Sequence, residues 1–407
     1  MISSTILGLH KISIAIDAIW VLTKHGFTTK MYECLRKGIH YVRPWRNWQT
    51  RTFEGRVGDR AGSSPAGRTI KKMSHRSQSD AIFFMYYVGI HGKMWYDYHV
   101  MNESHRNKTI NTEIADGKAY LDVCLRMEDL TEKDACYTDS LVCADMFKAC
   151  DYVPDGLADL MIVDPPYNLT KEYNGESFAK MNPADYEAYT RSWLDATSHI
   201  LRKGGSIYVC CDWESSLIIG RVLGDYYTVR NRITWQREKG RGAKSNWKNS
   251  MEDIWFATKG DDYIFNLEDV KLRRKVIAPY RQNGHPKDWE ETEDGKFRDT
   301  HPSNFWDDLT VPFWSMPENT AHPAQKPEKL MARLILASTN KGDLVFDPFA
   351  GSGTSCVTAK KLGRHYMGIE KDERYCIWAQ QRLEMADTDH RIQGYEEGVF
   401  WERNTKR

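Results

Sequence analysis

The stretch GDLVFDPFAGSGTSCVTAKKLGRHYMGIEKD, residues 342–372, constrains the fold more than any other part of the chain. An apolar run ends at Asp347, a glycine-rich turn and a helical segment follow, and a second apolar run ends at Glu370. Strand, turn, helix and strand in that order make a βαβ unit, whose two parallel strands need the helix to cross between them. A chain holding such a unit folds as α/β around a parallel sheet. Gly351 and Gly353 let a ligand approach the backbone, and the helix N-terminus behind them offers free N–H donors. Phe349 leads the turn as F-x-G-x-G, which differs from the G-x-G-x-x-G of dinucleotide sites. Glu370, 23 residues after Asp347, stands where an acid accepts hydrogen bonds from ribose hydroxyls.

The α/β pattern begins near Ala119. DLMIVD (159–164) and GSIYVCCD (205–212) read as buried strands. Between them, residues 183–205 read as a helix with apolar Tyr186, Tyr189, Trp193, Leu194 and Ile200, closing on Lys203-Gly204-Gly205 as a C-cap. The first strand runs into Asp164-Pro165-Pro166-Tyr167. Prolines fix φ and lack N–H groups, so this loop is rigid and offers acceptors: a carboxylate and a backbone carbonyl. Tyr167 adds a flat ring. Acceptors beside an aromatic face suit a planar ring bearing an amino group; read alone, the loop is better taken as a strand-terminating turn with a capping Asp, a reading that weakens once the glycine-rich turn and a basic aromatic insert share the chain.

Overall charge names no partner, because 57 basic residues meet 56 acidic ones. Its distribution is more telling. Residues 230–250 hold Arg230, Arg232, Arg237, Lys239, Arg241, Lys244 and Lys248 against one acid, with Trp235 and Trp247 interleaved. Residues 271–281 add Arg273, Arg274 and Lys275 among five basic residues and no acid. Such a run is either a solvated surface loop or a set of phosphate contacts; next to a loop suited to a planar, amino-bearing ring, phosphate contact is the better reading. Nine cysteines without a C-x-x-C pair argue against a disulfide framework or zinc site and point to reduced thiols in the cytosol. No apolar run is long enough to span a membrane, and charges interrupt the opening segment.

DPPYNL, HPAQKPEKL (322–330) and DPFAGSGT (347–354), in that order, resemble the β-class amino-group DNA methyltransferases. The resemblance covers roughly residues 119–388. It implies a doubly wound Rossmann-like sheet, with the catalytic motif first, an inserted target-recognition region next and the cofactor motif last. The cofactor implied is S-adenosylmethionine, lined by Asp347, Phe349, Gly351 and Gly353, with Glu370 on its ribose. His322, Gln325 and Lys326 belong to the segment that helps bind its methionine part, although His322 and Lys326 also read as core residues. Asp145 matches an acid that contacts the adenine, except that Ala144 stands where the family commonly has glycine.

The implied activity is site-specific transfer of a methyl group to adenine N6 in duplex DNA, by base flipping and without a metal. Asp164 and the Pro165 carbonyl accept the amine's two N–H bonds and steer its lone pair, while the flipped base stacks on Tyr167. Asp at the first loop position goes with adenine, whereas cytosine-N4 enzymes generally carry Ser. Cytosine-N4 transfer and methylation of RNA adenine are the alternatives; a DNA-binding module with a relic cofactor fold is a non-enzymatic one. A cognate restriction endonuclease is a possible partner, and monomer and homodimer both remain open. The expected setting is the cytoplasm of a prokaryote, with the gene on the chromosome, a phage or a mobile element.

The N-terminus reads differently. Trp45–Thr50 and Gly62–Ala66 match the translation of a transfer-RNA gene, in order and in one frame. Residues 1–72 are therefore expected to be non-native readthrough without function, with the genuine start at Met73, Met101 or another methionine. A disordered basic linker is the competing reading of residues 45–69. The expected organisation is an uncertain extension over 73–118, a catalytic half over 119–238, a recognition region over 239–315, a cofactor half over 316–388 and a tail over 389–407.

Overall fold

The computed structural model describes residues 107–402, apart from 132–135, 174–175, 242–244, 246 and 278. The readthrough reading of residues 1–72 lies outside the described residues, as does most of the 73–118 extension. In chain order the strands that build the two main sheets are β1 (Ser140–Cys143), β2 (Ala158–Val163), β3 (Leu201–Cys211), β4 (Thr228–Arg241), β5 (Asn249–Thr258), β6 (Leu272–Lys275), β7 (Glu290–Thr292), β8 (Gly295–Thr300), β9 (Phe305–Trp306), β10 (Leu344–Asp347), β11 (His365–Glu370), β12 (Tyr395–Glu396) and β13 (Val399–Trp401). The long helices are α1 (Pro183–Thr197), α2 (Trp213–Tyr226), α3 (Glu328–Ser338), α4 (Thr354–Lys361) and α5 (Glu373–Met385).

The central sheet has the order β1-β11-β10-β2-β3-β5-β4-β9. Its first five strands are parallel, and β3, β5 and β4 then pair antiparallel. Alternation decides which face each side chain covers. Leu160, Ile162, Tyr208, Cys210 and Val345 pack on one side with α3, α4 and α5. Met161, Val163, Ile207, Val209 and Phe346 pack on the other with α1 and α2. Both faces are covered, which is why the strands read as continuous apolar runs.

β10 and β2 lie side by side, Val345 against Leu160 and Phe346 against Met161. From β10 the chain winds outward through α4 to β11, and from β2 through α1 to β3 in the opposite direction. The carboxyl ends of these two strands therefore flank the topological switch point, where open α/β sheets bind ligands.

Three readings need correction. The helix expected over 183–205 ends at Thr197, and β3 has begun by Leu201. Gly204 is not a helix cap: it sits at φ +76° inside β3, where the pairing with β2 shifts register between Ala158 and Leu160. A β-carbon there would strike the Asp262 carbonyl, so the bulge demands glycine. The basic run is not a loop at its start, since residues 228–241 form β4 of the central sheet. Within the segment expected as a tail over 389–407, residues 395–401 supply β12 and β13 to a second sheet of order β7-β8-β6-β13-β12.

Arg333 of α3 ties that second sheet down. Its guanidinium grips Asp308 through two hydrogen bonds of 3.1 and 2.7 Å and lies over the rings of Trp306 and Phe400. Burial works against the Asp308 charge, yet Arg333 and Lys329 hold its carboxyl well below the usual carboxylate range.

Candidate active site

A cleft of about 670 Å³ opens at the switch point, a size usual for small-ligand sites. One wall is the turn after β10. Asp347, the last residue of that strand, accepts from the Phe349 N–H at 3.0 Å and from the Ser355 hydroxyl, which folds the turn back onto itself. Gly351 sits at φ +53° and Gly353, the N-cap of α4, at φ +73°. A β-carbon on Gly351 would come 3.1 Å from His322 Nε2, and one on Gly353 would come 2.7 Å from the Ala379 β-carbon. The glycines are needed both for conformation and for room.

Glu370 closes this wall. Its Oε2 accepts the Gly351 N–H and its Oε1 the Asp372 N–H, each at 2.8 Å. Burial pushes the carboxyls of Asp347 and Glu370 up to about 7, against the pull of those N–H groups and the Ser355 hydroxyl. Asp145 is exposed at the cleft edge and caps the short helix Met146–Ala149 by accepting from Phe147 N at 2.9 Å. Phe349 meets Trp193 edge-on, with ring centroids 6.4 Å apart.

The facing wall is the loop after β2. Tyr186 donates to the Pro166 carbonyl at 3.2 Å. Asn168 pins the loop to both neighbouring helical segments: its N–H meets Ser215 Oγ at 3.1 Å, and its amide exchanges two hydrogen bonds with the Met181 backbone. Asp164, Pro165, Pro166 and Tyr167 all line the cleft. The Asp164 carboxylate is held at both oxygens, by the Tyr167 hydroxyl on Oδ1 at 2.9 Å and by Lys326 Nζ on Oδ2 at 2.6 Å. The Lys326 ammonium also lies 5.2 Å from the centroid of the Tyr167 ring.

These positions revise the roles read for the 322–330 segment. Gln325 is turned inward: its Oε1 accepts from Thr320 N and Oγ1, and its Nε2 donates to the Glu318 carbonyl at 2.6 Å. It shapes the segment that carries His322 and Lys326. Lys326 reaches the Asp164 loop, its Nζ 2.6 Å from Asp164 Oδ2. Burial works against its charge, but Asp164 and Glu252 raise its ammonium well above the usual lysine range. His322 stacks edge-on with Tyr375 at 4.3 Å and accepts the Ala324 N–H on Nδ1, which leaves the proton on Nε2, facing Gly351.

The basic residues divide. Arg237 lines the cleft, and Lys248 is exposed beside Trp247, whose side chain is 95% exposed. Arg232 is half exposed and lies 3.8 Å from Asp253. Arg230 is at the opposite end of β4, bound by Asp261 and Thr258 and packed over Tyr263, so its expected phosphate contact gives way to a structural role. Arg273 is likewise committed, through two hydrogen bonds of 2.8 and 2.7 Å to Asp299. Arg274 and Lys275 continue β6, with Lys275 exposed. Lys239 and Arg241 fall on β4, and Lys244 lies outside the described residues. Glu252, Asn168 and Ser215 were not anticipated. The two adjacent acids within the MEDIWF run, Glu252 and Asp253, are the one signal there, and they do not single out Glu252.

A family model described as DNA methylase matches residues 158–381. The chain is 32% identical over 249 residues to the type II methyltransferase M.HpaI of Haemophilus parainfluenzae, covering 60% of this chain and 74% of that protein. It is 33% identical over 245 residues to the DNA adenine methyltransferase YhdJ of Escherichia coli K12, covering 58% and 79% respectively. Among solved structures, the cytosine-N4-specific PvuII DNA methyltransferase superposes with a TM-score of 0.44 at 16% identity, over 61% of this chain and 90% of that one.

Proposed function

The chain belongs to the N6/N4 DNA methylase family, and from that premise we propose that it methylates adenine N6 at specific sites in duplex DNA, with S-adenosylmethionine as donor. One observation carries the reading: a carboxylate held at both oxygens, Asp164, faces a glycine turn closed by a buried acid, Glu370, across one cleft at the switch point.

The residues present fit the cofactor. Gly351 and Gly353 leave the turn bare of side chains, and each Glu370 oxygen, holding one N–H, retains acceptor capacity for a ribose hydroxyl. Asp145, at the other side of the same wall, suits the amino edge of an adenine. Bound there, S-adenosylmethionine supplies an electrophilic methyl on a sulfonium.

The chain's own part is orientation. An exocyclic amine gives its lone pair to the base ring and is a weak nucleophile until its N–H bonds are directed. Asp164 and the Pro165 carbonyl are the acceptors that turn it, and their rigid loop spends no reorganisation at the moment of transfer. Tyr167 presents its ring to the same space, for a base that must leave the duplex to reach the loop. Lys248 is proposed to meet a phosphate near the cleft. A cognate endonuclease, suggested by the type II relative, and the oligomeric state belong to the proposal as partners. Among the described residues no helix is long and apolar enough to cross a membrane.

The test is to expose duplex DNA to the protein and radiolabelled S-adenosylmethionine, then digest to nucleosides. Label in N6-methyldeoxyadenosine is expected. Label in N4-methylcytosine, or faster transfer to RNA than to DNA of equal length, would overturn the assignment.

A further inference from the structure

Glu252 belongs to none of the motifs, yet it is the hub of the catalytic wall. It stands on β5 with its side chain 7% exposed, and three groups converge on it. Arg237 Nη1 donates at 2.5 Å, the Tyr167 hydroxyl lies at 3.3 Å and Lys326 Nζ at 3.6 Å. The last two are the same groups that hold the two oxygens of Asp164. A buried carboxylate is costly unless it is paired. Here two acids and two cations interlock, with Arg237 reaching in from the half-exposed rim.

We infer that Glu252 is a positioning residue for methyl transfer: it holds Lys326 at a fixed point between two acids, so that Asp164 meets the target amine in one orientation. This deepens the proposed function and rests on it. Lys326 lies between two carboxylates; without Glu252 nothing opposes the pull of Asp164 on it, and the ammonium shifts toward that carboxylate. The Asp164 carboxylate follows its partner by turning about its Cβ–Cγ bond, out of the orientation the amine needs. Misplacement by about 1 Å in a reaction that depends on orientation costs on the order of 100-fold.

The experiment compares Glu252→Gln with wild type in single-turnover methyl transfer, at saturating DNA and S-adenosylmethionine. The rate is expected to fall about 10- to 100-fold while both dissociation constants stay within about threefold. In a Lys326→Met background the same change should cost at least about fivefold less, because Glu252 acts through Lys326. A rate within about twofold of wild type, full additivity with Lys326→Met, or a loss that follows weakened binding would each overturn the inference. If Glu252→Gln does not fold, Glu252→Asp replaces it: the charge stays but withdraws by one methylene, and an unchanged rate would again refute the role. Wild type that transfers no methyl to DNA would instead count against the functional reading.

Discussion

Replacing Asp164 by asparagine preserves size and shape and removes one charge. Both carboxylate oxygens accept from donors, Tyr167 on one side and Lys326 on the other. An amide gives its oxygen to Lys326 and its NH2 to the Tyr167 hydroxyl, which accepts it and turns its proton toward Glu252 3.3 Å away, so the hydrogen bond from that hydroxyl to a charged group, worth about 1.5–3 kcal/mol, is lost. At 1.36 kcal/mol per factor of ten, the weakened acceptor alone slows transfer by ~10- to 150-fold. The NH2 facing Tyr167 also replaces one of the two acceptor oxygens open to the amine, so a total loss of ~10²–10³-fold is expected. Lys326 keeps Glu252 at 3.6 Å, so the destabilisation should stay below the ~3 kcal/mol that stranding a buried charge costs. Single-turnover transfer to duplex DNA measures the rate, and thermal unfolding measures the second effect. An Asp164→Asn protein within about threefold of the wild-type rate would refute the orienting role.

Three further outcomes follow from the same geometry. Lys248→Ala should reduce the salt dependence of DNA binding by about one phosphate, whereas Arg230→Ala, already committed to Asp261, should leave the slope unchanged; affinities titrated across salt concentrations decide this. Glu370 is raised to about 7, so the folded chain keeps a proton that the unfolded chain releases near pH 4; that contribution to stability is full below this and declines as pH rises toward 7. Glu370→Gln removes the decline, so its melting temperature relative to wild type should climb from pH 5 to pH 7.5, and a constant difference would contradict the assignment. Asp308→Asn leaves Arg333 and Lys329 without their shared anion and should cost about 3–5 kcal/mol in denaturant unfolding, with part regained in an Asp308→Asn, Arg333→Met double variant.

The parallel core could be read directly from the chain because its strands are covered on both faces. Residues 159–164 and 342–372 needed only apolar runs and glycines to announce themselves. The antiparallel edge could not, since the basic residues of β4 look like a loop until β5 pairs with them. The end of α1 was misplaced because Gly204 resembles a cap in one dimension and a bulge in three. Within the site, each motif marked a wall of the cleft but not the contacts across it. Lys326 and Asp164 meet over a separation of 162 residues, and no local spacing encodes that pairing. Glu252 carries no motif at all. Its importance arises only from what β5 brings to it.

The junction of β2 and β10 has a consequence for how the protein comes into being. At this seam the Leu344 N–H reaches Asp159 across 185 residues, the kind of long-range closure that pays its entropy before any contact rewards it. During synthesis the Asp164 loop emerges early and waits with one edge of β2 bare. An unpaired apolar strand of this kind is an aggregation hazard for as long as it waits. The cleft exists only where β10 pairs beside β2, so a chain truncated ahead of β10 is expected to transfer no methyl group.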